Sequence, residues 1–364
     1  MKAAVLNQSP GDLDIEEVSI ADPGRREVRL RVANAGLCHS DLHFMDGLWR
    51  TSLPAVMGHE SAGVVEAVGS DVSYVQPGDH VITCLSVFCG HCADCLTGHP
   101  NRCQNHREVS RSRDMPPRLT NAQGERLAQF ASLAGFAEEM LVHEHAVVKI
   151  RPDMPLDRAC LIGCGVTTGL GAVFKTARVE PGSSVCVIGC GGIGLSAVQG
   201  ARIAGANQIV AVDVTDQKLE IARTMGATHT VNSANVDDPV EAVRELSGGG
   251  VEYSFEAIGL KETVEQSFEV TRLGGTAVVI GMIPQDQKLE IAGWQFFMLE
   301  KTLKGSMMGS NAFRVDMPRY VDMYLDGRLM LDEMISATLT LADINDGYES
   351  LRKGEVARQV IAFD

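Results

Sequence analysis

The 364-residue sequence has no surplus of positive charge, no long apolar run and no linker-like stretch, and each lack removes a class of function. Its 32 Lys and Arg face 47 Asp and Glu, a net charge of −15. A polyanion surface needs clustered cations, so nucleic acid is not an expected partner. The opening MKAAVLNQSPGDL has no apolar core of a leader, and no apolar stretch approaches the roughly 20 residues that cross a bilayer. No membrane role and a cytoplasmic location are therefore expected. No Pro- or Ser-rich linker and no internal repeat appears, and 45% hydrophobic with 22% charged residues is the composition of a globular protein.

Cysteine, by contrast, is plentiful. There are ten, many for a compartment in which thiols stay reduced and disulfides are rare. Cys89, Cys92, Cys95 and Cys103 fall within fifteen residues as C-x2-C-x2-C-x7-C. Four thiolates close a tetrahedron around Zn²⁺ and leave no open position, the pattern of a structural site. Iron–sulfur ligation also uses clustered cysteines, but this spacing differs from the ferredoxin runs and no Pro follows Cys103. His91, inside the loop, reads as a solvated residue.

Along the chain the rhythm changes. The first ~150 residues carry short Val-rich pieces (27–32, 61–68, 80–83, 139–142) separated by Gly, Pro and Asp turns, which predict β-strands. From Ser183 onward, continuous apolar strands (SVCVIG, QIVAVD, VEYSFEAIG, TAVVIG) alternate with helical stretches, including 240–246 and 263–270. Such alternation predicts βαβ units on a parallel sheet. The last ~55 residues are mixed and end in an expected strand, 359–363.

Gly189, Gly191, Gly192, Ile193 and Gly194 belong to GCGGIG, which closes the strand SVCVIG and opens a helix. Glycines allow the tight turn and close approach of backbone to a pyrophosphate, and the helix N-terminus offers N–H groups. Asp213 ends the next strand, placed to accept from an adenosine ribose 2′-hydroxyl and to repel a 2′-phosphate. No Arg follows it, so NAD is expected over NADP.

Three further candidates are scattered: Cys38 in GLCHSDLH, His59 beside Glu60 in MGHESAG, and Cys164 in IGCGVTTG. Two thiolates and an imidazole leave a fourth tetrahedral position open, as a catalytic zinc requires. Singly, Cys38 or Cys164 also reads as a small buried hydrophobe, and His59 as a core histidine.

Taken together these motifs resemble the zinc-containing medium-chain dehydrogenase/reductase family, in particular its alcohol dehydrogenases. CHSDLH, GHE-x2-G-x5-G-x2-V, the four-cysteine lobe, GCGVTTG, GCGGIG with Asp213 and Gly354-x3-Arg358 follow one another in order. The resemblance implies an α/β protein with a Rossmann, doubly wound parallel-sheet domain (166–305) inserted in a β-rich GroES-like catalytic domain (1–165 and 306–364). It implies an active site in the cleft and two zincs per chain. Cys38, His59 and Cys164 would hold the catalytic ion, with Glu60 beside it. Ser40 would meet the substrate oxygen, and His43 would end a proton relay through the nicotinamide ribose to solvent. Thr168 would touch the nicotinamide, Lys218 the adenosine ribose, and His39 and Arg358 the pyrophosphate. His39 stands where many members carry Arg, so looser coenzyme binding is expected.

The resemblance also frames the substrate. Trp49 and Leu85 would line opposite walls of a pocket continued by Met282, Met307 and Met308, for which core packing is an equal alternative. Such a wall suits uncharged aliphatic or benzylic primary alcohols and their aldehydes. The rival within the family is glutathione-dependent formaldehyde dehydrogenase, acting on S-hydroxymethylglutathione. Arg107 matches that branch, whereas Trp49 replaces its acidic residue. A non-catalytic relative that merely binds NAD and zinc is disfavoured by the intact set Cys38, Ser40, His43, His59 and Cys164. A zinc-free quinone-reductase-like enzyme is disfavoured by the seven metal ligands. The retained segment 104–134 favours a homodimer over a homotetramer, and Trp294, Phe296 and Phe297 read equally as interface or core.

Overall fold

The computed structural model describes every residue except Arg113, Glu355 and Asp364. The chain forms two compact units, 1–164 with 312–364, and 165–311.

The first unit is built on two sheets. The smaller has the order Leu13–Glu17, Lys2–Leu6, Ala55–Val56, Arg126–Gln129, Leu119–Thr120 and Ser19–Ile20. The larger runs Val147–Lys149, His80–Thr83, Ser61–Val68, Glu27–Gly36, Arg358–Ala362 and Ile335–Leu339, with Glu139–His143 also on the long strand Glu27–Gly36. That strand is the scaffold of the unit. It pairs antiparallel with Ser61–Val68, Glu139–His143 and Arg358–Ala362, so residues far apart in sequence meet at its end. Alternating Val28, Leu30 and Val32 bury one face against Val65, Val81, Met140 and Val142. The other face packs on a second apolar cluster through Ala35 and Leu37.

The second unit is a single all-parallel sheet in the order His229–Asn232, Gln208–Asp213, Ser184–Ile188, Val251–Glu256, Thr271–Val279 and Thr302–Gly305. Numbered along the unit this is 3-2-1-4-5-6, the doubly wound arrangement whose ligand crevice opens beyond the carboxyl ends of strands 1 and 4. Parallel strands covered on both faces must be apolar along their buried middle, which VCVI and IVAV are.

Two expectations change. Residues 306–311, expected in the catalytic domain, belong to the coenzyme-type unit. The reason is local: Thr176 Oγ1 bonds both Ser306 Oγ (2.7 Å) and Ser310 Oγ (2.8 Å), and Gly309 lies against Gly171 so closely that a Cβ there would meet its carbonyl at 2.3 Å. Secondly, Leu156–Ala177 is a 22-residue helix apolar enough to cross a membrane by length and composition, a continuous run the sequence reading did not see. Of its apolar window 89% is buried inside the protein, as in a core helix.

The segment 104–134 is tied down by charge. Glu27, 5% exposed, accepts from Gly24 N–H (2.7 Å) and pairs with Arg111 (3.1 Å) and Arg118 (2.8 Å). Removing one member of such a buried group strands the others. Glu27→Leu should therefore cost roughly 3–5 kcal/mol, measured by urea unfolding. A loss below about 1 kcal/mol would show the two guanidinium groups to be solvated.

Candidate active site

Helix His39–Met45 begins immediately after Cys38, its N-cap residue. One turn later Asp41 points inward and is wholly buried, while Ser40 and His43 stay half-buried and His39 exposed. The Asp41 carboxylate accepts the Gly58 N–H at 3.0 Å and faces His59 Nδ1 at 3.1 Å. Gly58, at φ +90°, is pressed on Phe136, so no side chain fits there. Cys164 comes from a π-helical turn, Ile162–Val166, an irregularity often found at functional sites.

These elements bring Cys38, His59, Glu60 and Cys164 together, all buried, with their ligand atoms within 4.8 Å of one another. His59 Nε2 is buried and has no hydrogen-bond partner among the described residues. Burial works against a proton on His59, but Asp41 and Cys38 outweigh it and raise its pKa to about 10. The Cys164 hydrogen bond, against the effect of burial, with help from His59 and Arg358, holds the Cys38 thiol well below its ordinary value. A field that retains a proton so strongly also attracts a dication, and two soft sulfurs with one imidazole suit zinc. The residues present therefore fit a catalytic zinc.

Asp41 was absent from the sequence reading, although it lies inside CHSDLH. A metal-binding imidazole commonly donates its other ring N–H to a carboxylate, which fixes tautomer and ring orientation. Asp41 fills that place. Arg358, expected at a pyrophosphate, is 4% exposed and ion-paired with Glu60. A Cβ at Gly36 would stand 2.5 Å from the Glu60 carboxylate and 3.0 Å from the Arg358 guanidinium, so glycine there leaves room for the pair.

The second cluster is Cys89, Cys92, Cys95 and Cys103. Its sulfurs stand 3.4 Å (Cys92–Cys95) and 3.9 Å (Cys89–Cys95) apart, bracketing the about 3.8 Å edge of a tetrahedron with ~2.3 Å metal–sulfur bonds. Burial opposes ionisation of Cys89, but N–H groups of His91 and Cys92 lower its pKa to about 6. Burial raises that of Cys95 to about 12. His91 is not among the four; it pairs with Glu108 at 2.5 Å. Arg107 is exposed.

In the second unit, Gly191 caps helix Gly192–Ala204. Gly189 turns at φ +95°, and a Cβ at Gly194 would lie 1.7 Å from its carbonyl oxygen. At Gly191 a Cβ would meet nothing within 4 Å. The turn thus packs at one glycine and stays open at another, at the start of a helix, which fits a dinucleotide phosphate. Asp213 accepts from Cys190 N–H (2.8 Å) and Thr215 N–H (3.0 Å) and so also shapes the turn. Ile193 and Lys218 are half-buried. Thr168 is 5% exposed and reaches Met308 Sδ at 3.6 Å.

The pocket candidates divide. Trp49 is half-buried, its backbone N–H bonded to the His43 carbonyl at 3.2 Å. Its ring lies 6.4 Å from Phe44, Phe44 lies 4.8 Å from Phe130, and Phe130 lies 5.7 Å from His59. The sequence reading missed Phe44 and Phe130, whose rings connect Trp49 to His59. Leu85 instead packs on the sheet core with Val87 and Val109. Met307 is 58% exposed, and Trp294 and Phe297 at 53% and 73% are not core residues.

Two donor clusters of this kind should bind two zincs. Cys38→Ala should lose one of them and keep its fold, as metal analysis and circular dichroism would report. A single zinc in the unaltered protein would contradict the assignment of the buried cluster.

Known proteins share this architecture. Residues 24–152 match the family described as alcohol dehydrogenase GroES-like domain, and 192–325 that described as zinc-binding dehydrogenase. Alcohol dehydrogenase class-3 of Zea mays is 38% identical over 369 residues, covering 100% of this chain and 96% of that protein. S-(hydroxymethyl)glutathione dehydrogenase of Paracoccus denitrificans is 36% identical, with 100% and 99% covered. Among solved structures, an alcohol dehydrogenase zinc-binding domain protein from Burkholderia ambifaria superimposes with TM-score 0.95 at 36% identity, covering 100% and 98%. Benzyl alcohol dehydrogenase from Acinetobacter calcoaceticus gives 0.92 at 31%, covering 100% and 99%. With its GroES-like and Rossmann-type sheets, two cysteine-based metal clusters and glycine turn, the chain belongs to the zinc-dependent, NAD-binding alcohol dehydrogenases of the medium-chain dehydrogenase/reductase family.

Proposed function

We propose that this protein is an NAD-linked zinc enzyme that interconverts uncharged primary alcohols, aliphatic or benzylic, with their aldehydes. The observation that carries the reading is the uncharged ring series Trp49, Phe44 and Phe130 ending at His59. Cys38, His59 and Cys164 hold the catalytic zinc, Cys89, Cys92, Cys95 and Cys103 the structural one. Bound there, the zinc supplies Lewis acidity at the substrate oxygen and NAD a hydride acceptor.

The chain's own residues do the rest. Ser40 and His43 stand three apart on helix His39–Met45, hence on one face. Ser40 accepts the alcohol proton, and His43 passes it towards solvent. Burial lowers the His43 pKa, despite Cys38 and Asp46, which keeps a neutral imidazole free to take a proton. Glu60 balances Arg358 beside the ligands. The turn Gly189, Gly191, Gly192, Ile193 and Gly194 takes the pyrophosphate, Asp213 and Lys218 take the ribose, and Thr168 meets the nicotinamide. Ten cysteines with no disulfide among the described residues suit the reducing cytoplasm. A second copy of the chain would cover Trp294, Phe297 and Met298, beside the edge strand Thr302–Gly305.

A second reading is oxidation of S-hydroxymethylglutathione. It is favoured by exposed Arg107, able to anchor a glutathione carboxylate, and by the names of the Zea mays and Paracoccus denitrificans relatives. Trp49 opposes it. Initial rates of NADH formation with benzyl alcohol and with formaldehyde plus glutathione separate the two. Benzyl alcohol should be turned over faster; the reverse would make Arg107 a substrate anchor and overturn the neutral-alcohol reading.

Cofactor choice has its own test. Asp213→Gly should relax the preference for NAD over NADP by roughly ten- to hundredfold, the worth of one hydrogen bond to a charged group. An unchanged ratio of kcat/KM values would move the ribose contact elsewhere.

A further inference from the structure

Tyr348, in helix Ile344–Arg352, is wholly buried in the first unit. Two close approaches fix its position. Its ring meets Phe136 edge-on at 6.2 Å, and Phe136 presses on Gly58, the residue before His59, where a Cβ would lie 2.6 Å from the Phe136 nitrogen. On the other side, a Cβ at neighbouring Gly347 would lie 2.7 Å from Leu37, the residue before Cys38. The helix that carries Tyr348 is thus in contact with the segment before Cys38 through Gly347, and through Phe136 with the segment before His59. Its cluster is otherwise apolar, with Leu37, Leu42, Met45 and Phe136.

Phenylalanine would fill that space equally well, so the oxygen needs an explanation. The hydroxyl has no well-aligned partner among the described residues, and neither has Asp41 Oδ2, the oxygen that faces His59. Asp41 lies within hydrogen-bonding reach of the hydroxyl, and so does the Cys38 backbone N–H, which can donate to the phenol oxygen and leave its proton for the carboxylate. A phenol keeps its proton at neutral pH, so the hydroxyl is available as a donor.

We propose that Tyr348 is a positioning residue of the catalytic metal site, its hydroxyl donating to Asp41 and extending the pair Asp41–His59 to a chain of three. The chain aims His59 Nδ1 at the carboxylate and leaves Nε2 to the thiols of Cys38 and Cys164. It acts through the carboxylate, which a slight rotation would otherwise turn away from the imidazole. The proposal rests on the reading of Cys38, His59 and Cys164 as zinc ligands.

The test compares four zinc-loaded proteins: unaltered, Tyr348→Phe, Asp41→Asn and the double variant. Zinc release to an excess chelator is followed with a metallochromic indicator, the four-cysteine site serving as internal reference. Tyr348→Phe should release the catalytic zinc about tenfold faster, the low end for loss of an outer partner, with the reference unchanged. It should add nothing once Asp41 is Asn. An unchanged release rate for Tyr348→Phe overturns the proposal, and so does an effect of equal size with and without Asp41. A single zinc in the unaltered protein would overturn the ligand reading itself, and the proposal with it.

Discussion

The first unit is organised around a problem of charge. Cys38, Asp41, Glu60 and Cys164 lie within it at 0–3% exposure, and the cations set against them are His59 and Arg358. Burying a charge is tolerable only if it is paired and hydrogen-bonded, and two cations cannot pair four anions. Protons on the thiols must supply the difference, or a dication that takes the place of the His59 proton, since an imidazole that binds metal is neutral. The softness of two sulfurs beside one imidazole favours zinc. Much of the surrounding structure serves this balance: strand Glu27–Gly36 ends in a glycine that admits the Glu60–Arg358 pair, and the last strand, Arg358–Ala362, delivers the arginine from the far end of the sequence.

The two units solve different problems with different means. In the first, the donors of the buried cluster arrive from three separate segments, and rigidity comes from paired charges and close glycine contacts. In the second, one short turn does most of the work. Gly189 and Gly194 pack, Gly191 stays open, and Asp213 bonds the backbone of the turn itself. That carboxylate shapes the loop by accepting from the Cys190 and Thr215 N–H groups. The rings Trp49, Phe44 and Phe130 form a continuous series of contacts ending at His59, so side chains that bind no metal set the polarity beside the cluster.

Legibility in the sequence followed the range of the interactions. The strands Ser61–Val68 and His80–Thr83 carry the bounds the pattern predicts, and the parallel sheet follows from its apolar runs. Glycine turns and cysteine spacings are local and were readable. The two-residue ladders Ala55–Val56 and Leu119–Thr120 were not, because no periodicity exists in so few residues. Asp41 escaped because its partners, Gly58 and His59, are reached only through the fold. Arg358 reads as a phosphate contact until its pairing with Glu60, 298 residues away, is seen. The boundary at 312 depends on hydroxyl contacts between Thr176, Ser306 and Ser310.

The most direct measurement of the central claim is zinc K-edge X-ray absorption on the purified protein. If the buried charge cluster and the four-cysteine lobe each hold zinc, the averaged shell should contain about three sulfurs at ~2.3 Å, with about half an imidazole nitrogen at ~2.0–2.1 Å per metal and a lighter donor filling the remainder. A shell of sulfur alone would mean that only the four-cysteine lobe carries metal, and the charge of the Cys38, His59 and Cys164 cluster would then have to be met by protons.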